Sequence, residues 1–426
     1  MNQKSTLNKS EKLIIHNIMT KYVKAASVIA LLFLYQFTFA QNKIPQEKID
    51  ELSSKLDAIC LPLKEQGIKV SCKVMHADFG KVLYELDPEM SMIPASITKI
   101  LVGAAAYSKL GANYMIPTVV YTDDSDIKDG VINGNLYIKG FGDPDLYSGD
   151  IQTLASEITK RGIKEITGNI VADDSYFDSK YYTLSGVYKG DTGPSYWPYV
   201  SGLCIDKSAG ATTAGNFLSS DLSSMGVNVQ GTVIAGVTPT GAKEVAQFSH
   251  SLYDVLAYML KESDNHSAIT IFKLLGAKYK STPASLEDAQ EVMISFLNEV
   301  GIDRYSFEIL EGSGLTRYNK VNAEMYIKLL KYMYDDRFTF DYFMNSLSIA
   351  GKDGTLKKRM IGTEAEGNVY AKTGTINSVS ALSGYVIDKD NEVLIFYIVM
   401  NGFGGNASNM RAAQDDVAIT LAGFFR

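Results

Sequence analysis

An apolar helix that opens on a serine and carries one lysine constrains this chain more than any other stretch. It reads Pro94-Ala95-Ser96-Ile97-Thr98-Lys99-Ile100-Leu101-Val102-Gly103-Ala104-Ala105-Ala106. Residues three apart share a helix face, so the Lys99 amine reaches the Ser96 hydroxyl. A serine hydroxyl is a weak nucleophile until a base takes its proton. A desolvated lysine near other cationic groups can be that base, because both influences favour the neutral amine. The helix start also offers free N–H groups and a positive dipole end to a developing oxyanion. Taken alone, the tetrad reads first as a capping serine followed by a solvated lysine. It recurs at Ser125-Asp126-Ile127-Lys128, inside a charged turn with no helix behind it.

The remainder of the chain sets the context. Its 426 residues suffice for two or three domains. Lys21 and Lys24 precede the apolar run Ala25–Phe39, which closes on Thr38-Phe39-Ala40. The pattern predicts a signal peptide over residues 1–40, cleaved after Ala40; the rival expectation is a retained anchor. Removing residues 1–40 takes away five lysines and one glutamate and moves the net charge from −7 to −11. Such an acidic exported chain is poorly suited to nucleic acid or an anionic membrane surface. Cys60, Cys72 and Cys204 are odd in number and imply no disulfide framework, although Cys60 and Cys72 are the nearest pair.

Periodicity of three and four predicts a helix over 46–66, then a hairpin from Ile68–His76 and Lys81–Glu85. After Gly111 the composition turns to Gly, Asp, Thr and Val. Short strands are expected at Met115–Thr122, Gly134–Lys139, Gly168–Ala172 and Val227–Val237, with helices at Ile151–Arg161 and Thr212–Met225. This segment reads as a small α+β insert. Helical periodicity returns from Ser251 to about Tyr334. Strands at Asn368–Lys372, Ser380–Ile387 and Val393–Met400 and a helix at Ser408–Phe424 follow, and they can complete the sheet begun by the first hairpin.

Two further short signals follow the Ser96 tetrad. Ser263-Asp264-Asn265 comes after an amphipathic helix. Ser263 could carry a proton between Lys99 and a leaving amine, and the Asn265 amide could hold a substrate carbonyl. Lys372-Thr373-Gly374-Thr375 ends a predicted strand. A strand edge can add an extended peptide. Lys372 supplies charge that favours neutral Lys99, Gly374 allows close ligand approach, and the hydroxyls of Thr373 and Thr375 can grip a carboxylate. Alone, these read as a polar turn and an edge strand.

In this order the three motifs are the set of penicillin-binding proteins and class A β-lactamases. The chain resembles the penicilloyl serine transferases. The gaps are 167 residues from Ser96 to Ser263 and 109 from Ser263 to Lys372. A long first gap resembles peptidase family S13, the D-alanyl-D-alanine carboxypeptidases/endopeptidases known as class C low-mass penicillin-binding proteins. The runs Gly140-Phe141-Gly142-Asp143-Pro144-Asp145-Leu146, Gly312-Ser313-Gly314-Leu315-Thr316-Arg317 and Asp353-Gly354-Thr355-Leu356 agree with it. The resemblance implies an α/β (α+β) fold. A β-lactamase/transpeptidase-like catalytic domain, an antiparallel sheet flanked by helices, would comprise residues 41–111 and 241–426. The small α+β insert would occupy 112–240, and the third domain usually nested in it is expected to be absent.

The same resemblance implies a serine DD-peptidase acting on peptidoglycan stem peptides and acylated by β-lactam antibiotics, with no cofactor and no metal. Ser96 would be the nucleophile and Lys99 the base, assisted by Ser263, Asn265 and Lys372. Thr373, Gly374 and Thr375 would bind substrate. Asp173, Phe177, Arg317 and Asn377 match a pocket for the free amino group of the stem peptide. A β-lactamase and a catalytically idle penicillin-binding scaffold or sensor are the alternatives. Oligomeric state is not legible.

Overall fold

A computed structural model describes residues 44–426. The expected signal segment, residues 1–40, lies outside the described residues. Among these, no helix is long and apolar enough to cross a membrane.

The chain's two ends build one sheet. Lys69–His76 pairs antiparallel with both Val82–Leu86 and Val393–Asn401. The order continues through Val379–Ile387 and Val369–Ile376 to the short Ser348–Ile349, antiparallel throughout. Leu394–Met400 is buried without interruption, because helices pack on both faces of this sheet. The helix Ser408–Ala422 lies on one face. Gln414 reaches through it to donate a hydrogen bond to the Ser380 hydroxyl at 2.9 Å. Ala323–Asp335 packs on Lys69–His76 and Val393–Asn401.

Thr98–Leu110 is the axle of the main core: every residue from Thr98 to Tyr107 is buried. It touches the helices Leu252–Lys261, Asn265–Tyr279, Leu286–Glu299, Ala323–Asp335 and Phe340–Ser346. An apolar helix without a polar face has to be enclosed in this way.

Residues after Gly111 form a second layer with its own core, in which Ile138, Ile151, Leu154, Ile170, Leu218 and Leu222 are buried. A five-stranded sheet runs in the order Lys243–Ser251, Met115–Thr122, Leu136–Gly140, Ile170–Asp173, Val233–Ala235. The first two pairings are antiparallel and the last two parallel. Three two-residue strands, Val131–Ile132, Glu165–Ile166 and Asn228–Val229, pair in parallel beside it.

Two expectations change here. The strand expected over Val227–Val237 is broken at Gln230-Gly231 into pieces that join different sheets. Lys243–Ser251, not expected as a strand, is the edge of the five-stranded sheet. Only Val245 and Ala246 along it are buried, so it has no apolar alternation to read. The five-stranded sheet therefore extends to Ser251. Between Ser201 and the helix Ala211–Ser224 the chain makes one tight turn, with Ile205 bridged to Ala209. Cys60, Cys72 and Cys204 are buried free thiols.

Candidate active site

Ser96 occupies a 3₁₀ turn, Ala95–Ile97, that leads directly into the buried helix. Ala95 holds a left-handed φ of 49°. For a residue with a side chain this conformation costs on the order of 1–2 kcal/mol. Two contacts hold it. The Thr98 hydroxyl donates to the Ala95 carbonyl at 2.8 Å, and Gly314 packs so close to that carbonyl that no side chain would fit.

Lys99 is fully buried. Its Nζ lies 3.0 Å from Ser96 Oγ, 2.8 Å from Asn265 Oδ1 and 2.6 Å from the Ser313 carbonyl oxygen. Two of these partners can only accept. A neutral amine has two N–H bonds and one lone pair, so its protons satisfy the two carbonyl oxygens and the lone pair faces the Ser96 hydroxyl. Burial lowers the Lys99 pKa to about 8, against the opposing pull of Glu311 and Asp264. Lys372 is also fully buried, and burial, then the charge of Lys99, holds its pKa well below the usual lysine range. Two adjacent buried ammonium groups disfavour holding both protons. The expectation that Lys372 keeps Lys99 neutral is thus secondary: burial is the larger influence.

The loop Glu311–Arg317 supplies the carbonyl that orients Lys99. Glu311 is fully buried and folds this loop around its carboxylate. One oxygen accepts from the N–H and hydroxyl of Ser313, both at 2.5 Å; the other accepts from the N–H of Gly314 at 2.8 Å and of Thr316 at 3.2 Å.

Ser263-Asp264-Asn265 turns tightly between two helices. Ser263 takes φ 62°, and Asp264 caps the helix Asn265–Tyr279 by accepting from Ser267 N at 2.8 Å. The turn sends Ser263 to one side of Ser96 and Asn265 to the other.

Lys372-Thr373-Gly374 lies inside the strand Val369–Ile376 rather than at its end. Its outer neighbour, Ser348–Ile349, pairs only with Tyr370 and Ala371. From Lys372 onward that edge has no strand partner among the described residues. Gly374 faces its own chain: a side chain there would stand 2.8 Å from the Pro94 carbonyl oxygen and 3.1 Å from Ser96 N. Glycine thus lets the strand pack against the turn that carries Ser96.

The cleft has two lobes that meet at Ser96 and Thr375. One, of about 660 Å³, is lined by Ser263, Thr355, Thr373, Arg359, Ser408, Arg411 and Asp415. The other, of about 550 Å³, is lined by Asn265, Arg317, Asn377 and, from the insert, Asp191, Thr192 and Tyr196.

The model of the D-Ala-D-Ala carboxypeptidase 3 (S13) family matches residues 52–213 and 207–422. The chain belongs to this family. A D-alanyl-D-alanine carboxypeptidase of Actinomadura sp. is 29% identical over 88% of this chain and 85% of its own. The D-alanyl-D-alanine carboxypeptidase DacB of Haemophilus influenzae is 24% identical over 87% and 91%. The crystal structure of penicillin binding protein 4 (dacB) from H. influenzae superposes with a TM-score of 0.73 at 22% identity, over 86% of this chain and 97% of that one. A second structure of that protein, complexed with a β-lactam, gives 0.67 at 23%, over 86% and 97%. These likenesses show the shared fold.

The structure brings Ser96, Lys99, Ser263, Asn265, Thr373 and Thr375 together around one cleft, whereas Asp173 and Phe177 lie apart from Arg317 and Asn377. Arg317 and Asn377 meet at the rim, where Arg317 NH1 donates to the Asn377 carbonyl at 2.7 Å. Asp173 is fully buried and paired with Lys139 at 3.0 Å. Burial pushes its carboxyl up, but hydrogen bonds from Ser175 and Thr238 outweigh it and hold the pKa below the usual range. Asp173 therefore shapes the insert and presents no carboxylate to the cleft. Phe177 is buried against Tyr176, under the Lys273 ammonium at 5.2 Å. The carboxylate beside Arg317 is that of Asp191, which accepts from Arg317 N at 2.7 Å and from the Thr316 hydroxyl at 2.6 Å. Asp191 sits in a loop with no periodic pattern. Glu311 and Thr355 were visible only as parts of, or neighbours to, matching runs. His266, next to Asn265, is buried with neither ring nitrogen partnered; burial lowers its pKa to about 4.

Proposed function

We propose that the chain is a serine DD-peptidase of peptidoglycan in which Ser96 attacks the carbonyl between two D-alanines of a stem peptide. Family membership supports the activity class. The observation that carries the residue roles is the Lys99 amine, buried, with two carbonyl acceptors and the Ser96 hydroxyl as its third neighbour. Lys99 takes the Ser96 proton as Oγ bonds to the carbonyl carbon. The N–H groups of Ser96 and Thr375 hold the oxyanion. Ser263 passes the proton to the leaving amine, Asn265 holds the amide on the acyl side, and Thr373 and Thr375 take the terminal carboxylate. Water then attacks the acyl-enzyme and frees Ser96. If the leaving amine belongs to a cross-link, the same steps make an endopeptidase. By analogous ring opening a β-lactam acylates Ser96. Residues 1–40 would direct the chain out of the cytoplasm to this substrate.

Intact mass after incubation with a penicillin tests the reading. A lasting adduct on the wild type, absent from Ser96→Ala, is expected, together with D-alanine release from a stem pentapeptide. Rapid loss of the adduct with drug turnover would make the chain a β-lactamase. No adduct on folded wild type would leave an idle scaffold.

A further inference from the structure

The lobe on the Ser263 side is much larger than its product requires. A single leaving alanine places its carboxylate on Thr373 and Thr375 and leaves most of about 660 Å³ empty. Beyond these hydroxyls the lobe continues. Thr373 donates to Thr355 Oγ1 at 2.9 Å, and Arg359 and Arg411 line the same lobe. The two arginines differ. Arg359 is held to the helix Ser408–Ala422: its Nε lies 2.8 Å from Asp415 Oδ1, and its NH2 donates to the Arg411 carbonyl at 3.2 Å and Gln414 Oε1 at 3.3 Å. Asp415 lies one helical turn after Arg411, where it could have neutralised that side chain. It is paired with Arg359 instead, at 2.7 Å. Arg411 is exposed in the lobe and has no carboxylate partner among the described residues. The side of the lobe lined by Arg359, Arg411 and Asp415 therefore carries net positive charge in an otherwise acidic protein.

We propose that this side is an anion subsite for the leaving peptide, in which Arg411, positioned by Arg359, binds a carboxylate of a cross-linked stem. The inference rests on Ser96 and Ser263 acting as described above. Its substrate is a dimer in which a D-alanyl carbonyl is joined to the side-chain amine of a diamino acid. The Ser96 Oγ–C bond forms first to give the tetrahedral oxyanion, and the C–N bond to that amine breaks as the carbonyl re-forms. The Ser96 proton ends on the departing nitrogen, and water completes hydrolysis. The departing strand, unlike free alanine, carries a second carboxylate for Arg411, and a planar guanidinium suits that anion.

The test compares one cross-linked dimer in which only the second carboxylate of the leaving strand, the one assigned to Arg411, is free or amidated. In wild type, kcat/KM is expected to favour the free acid by roughly five- to tenfold, mainly through KM and less at high salt. The preference should fall towards unity in Arg411→Gln and return in part in Arg411→Lys. Equal rates on the two dimers in wild type, or an unchanged preference in Arg411→Gln, would overturn the subsite. Penicillin labelling of Ser96 is followed in the same samples. Labelling with no acid preference sinks the subsite alone, whereas wild type that neither labels nor cleaves sinks the catalytic reading with it.

Discussion

At the scale of single residues the site turns on the proton of Lys99. Its folded pKa of about 8 lies below the 10.5 of an unperturbed lysine because the amine is buried. Between those values the unfolded chain binds more protons than the folded one, so stability rises with pH across that window. In the proposed mechanism reactivity has the same sign, since only a neutral amine could take the Ser96 proton. The penicillin acylation rate should climb through an apparent pKa near 8 and level off above it, as stopped-flow labelling across pH 6–10 would show. Lys99→Arg, which stays protonated, should slow labelling by at least about 100-fold. A flat profile would remove Lys99 from the role of base.

At the scale of elements, three pieces with unusual backbones surround one amine. Ala95, Ser263 and Gly314 all have positive φ. Ala95 is held by Thr98 and Gly314, and Glu311 folds the loop that carries Gly314. Glu311→Gln removes the charge and turns one acceptor into a donor facing N–H groups. The expected loss is about 2–4 kcal/mol of stability, with a slower acylation rate because the Ser313 carbonyl no longer fixes Lys99. Chemical denaturation and labelling kinetics on the same variant check both. Unchanged labelling would separate this loop from catalysis.

At the scale of the whole molecule the second layer is tied to the residues around Ser96 both at the Glu311–Arg317 loop, through Asp191, and at the helix Asn265–Tyr279. Lys207 of the insert lies 3.0 Å from Asp145 Oδ1 and 3.2 Å from Asp264 Oδ1, over the Tyr258 ring at 4.0 Å. Lys273 of the helix Asn265–Tyr279 pairs back to Asp178 at 2.6 Å. Asp264 is the centre of the second motif, so the insert fastens the residue that places Ser263 and Asn265. Lys207→Met should cost roughly 1–3 kcal/mol and reduce acylation several-fold while Ser96 remains labelled. Thermal melts and adduct rates check it; a stability loss with unaltered rate would make the contact structural only. The second motif shows why the chain was partly readable. A helix whose residues from Thr98 to Tyr107 are all buried declares itself by composition, and Ser96 and Lys99 meet through local geometry one turn apart. The Leu394–Met400 strand declares itself in the same way, because burial on both faces demands unbroken apolar residues. Recognition of the three motifs named the family. The sequence could not show that Asp173 spends its carboxylate on Lys139, that Asp191 stands beside Arg317, or that Asp415 leaves Arg411 for Arg359. Those outcomes are competitions among side chains far apart in the chain, decided by which partner packing brings within hydrogen-bond distance. Local pattern therefore determined the buried helix and the meeting of Ser96 with Lys99, while long-range packing alone decided which charges face the cleft.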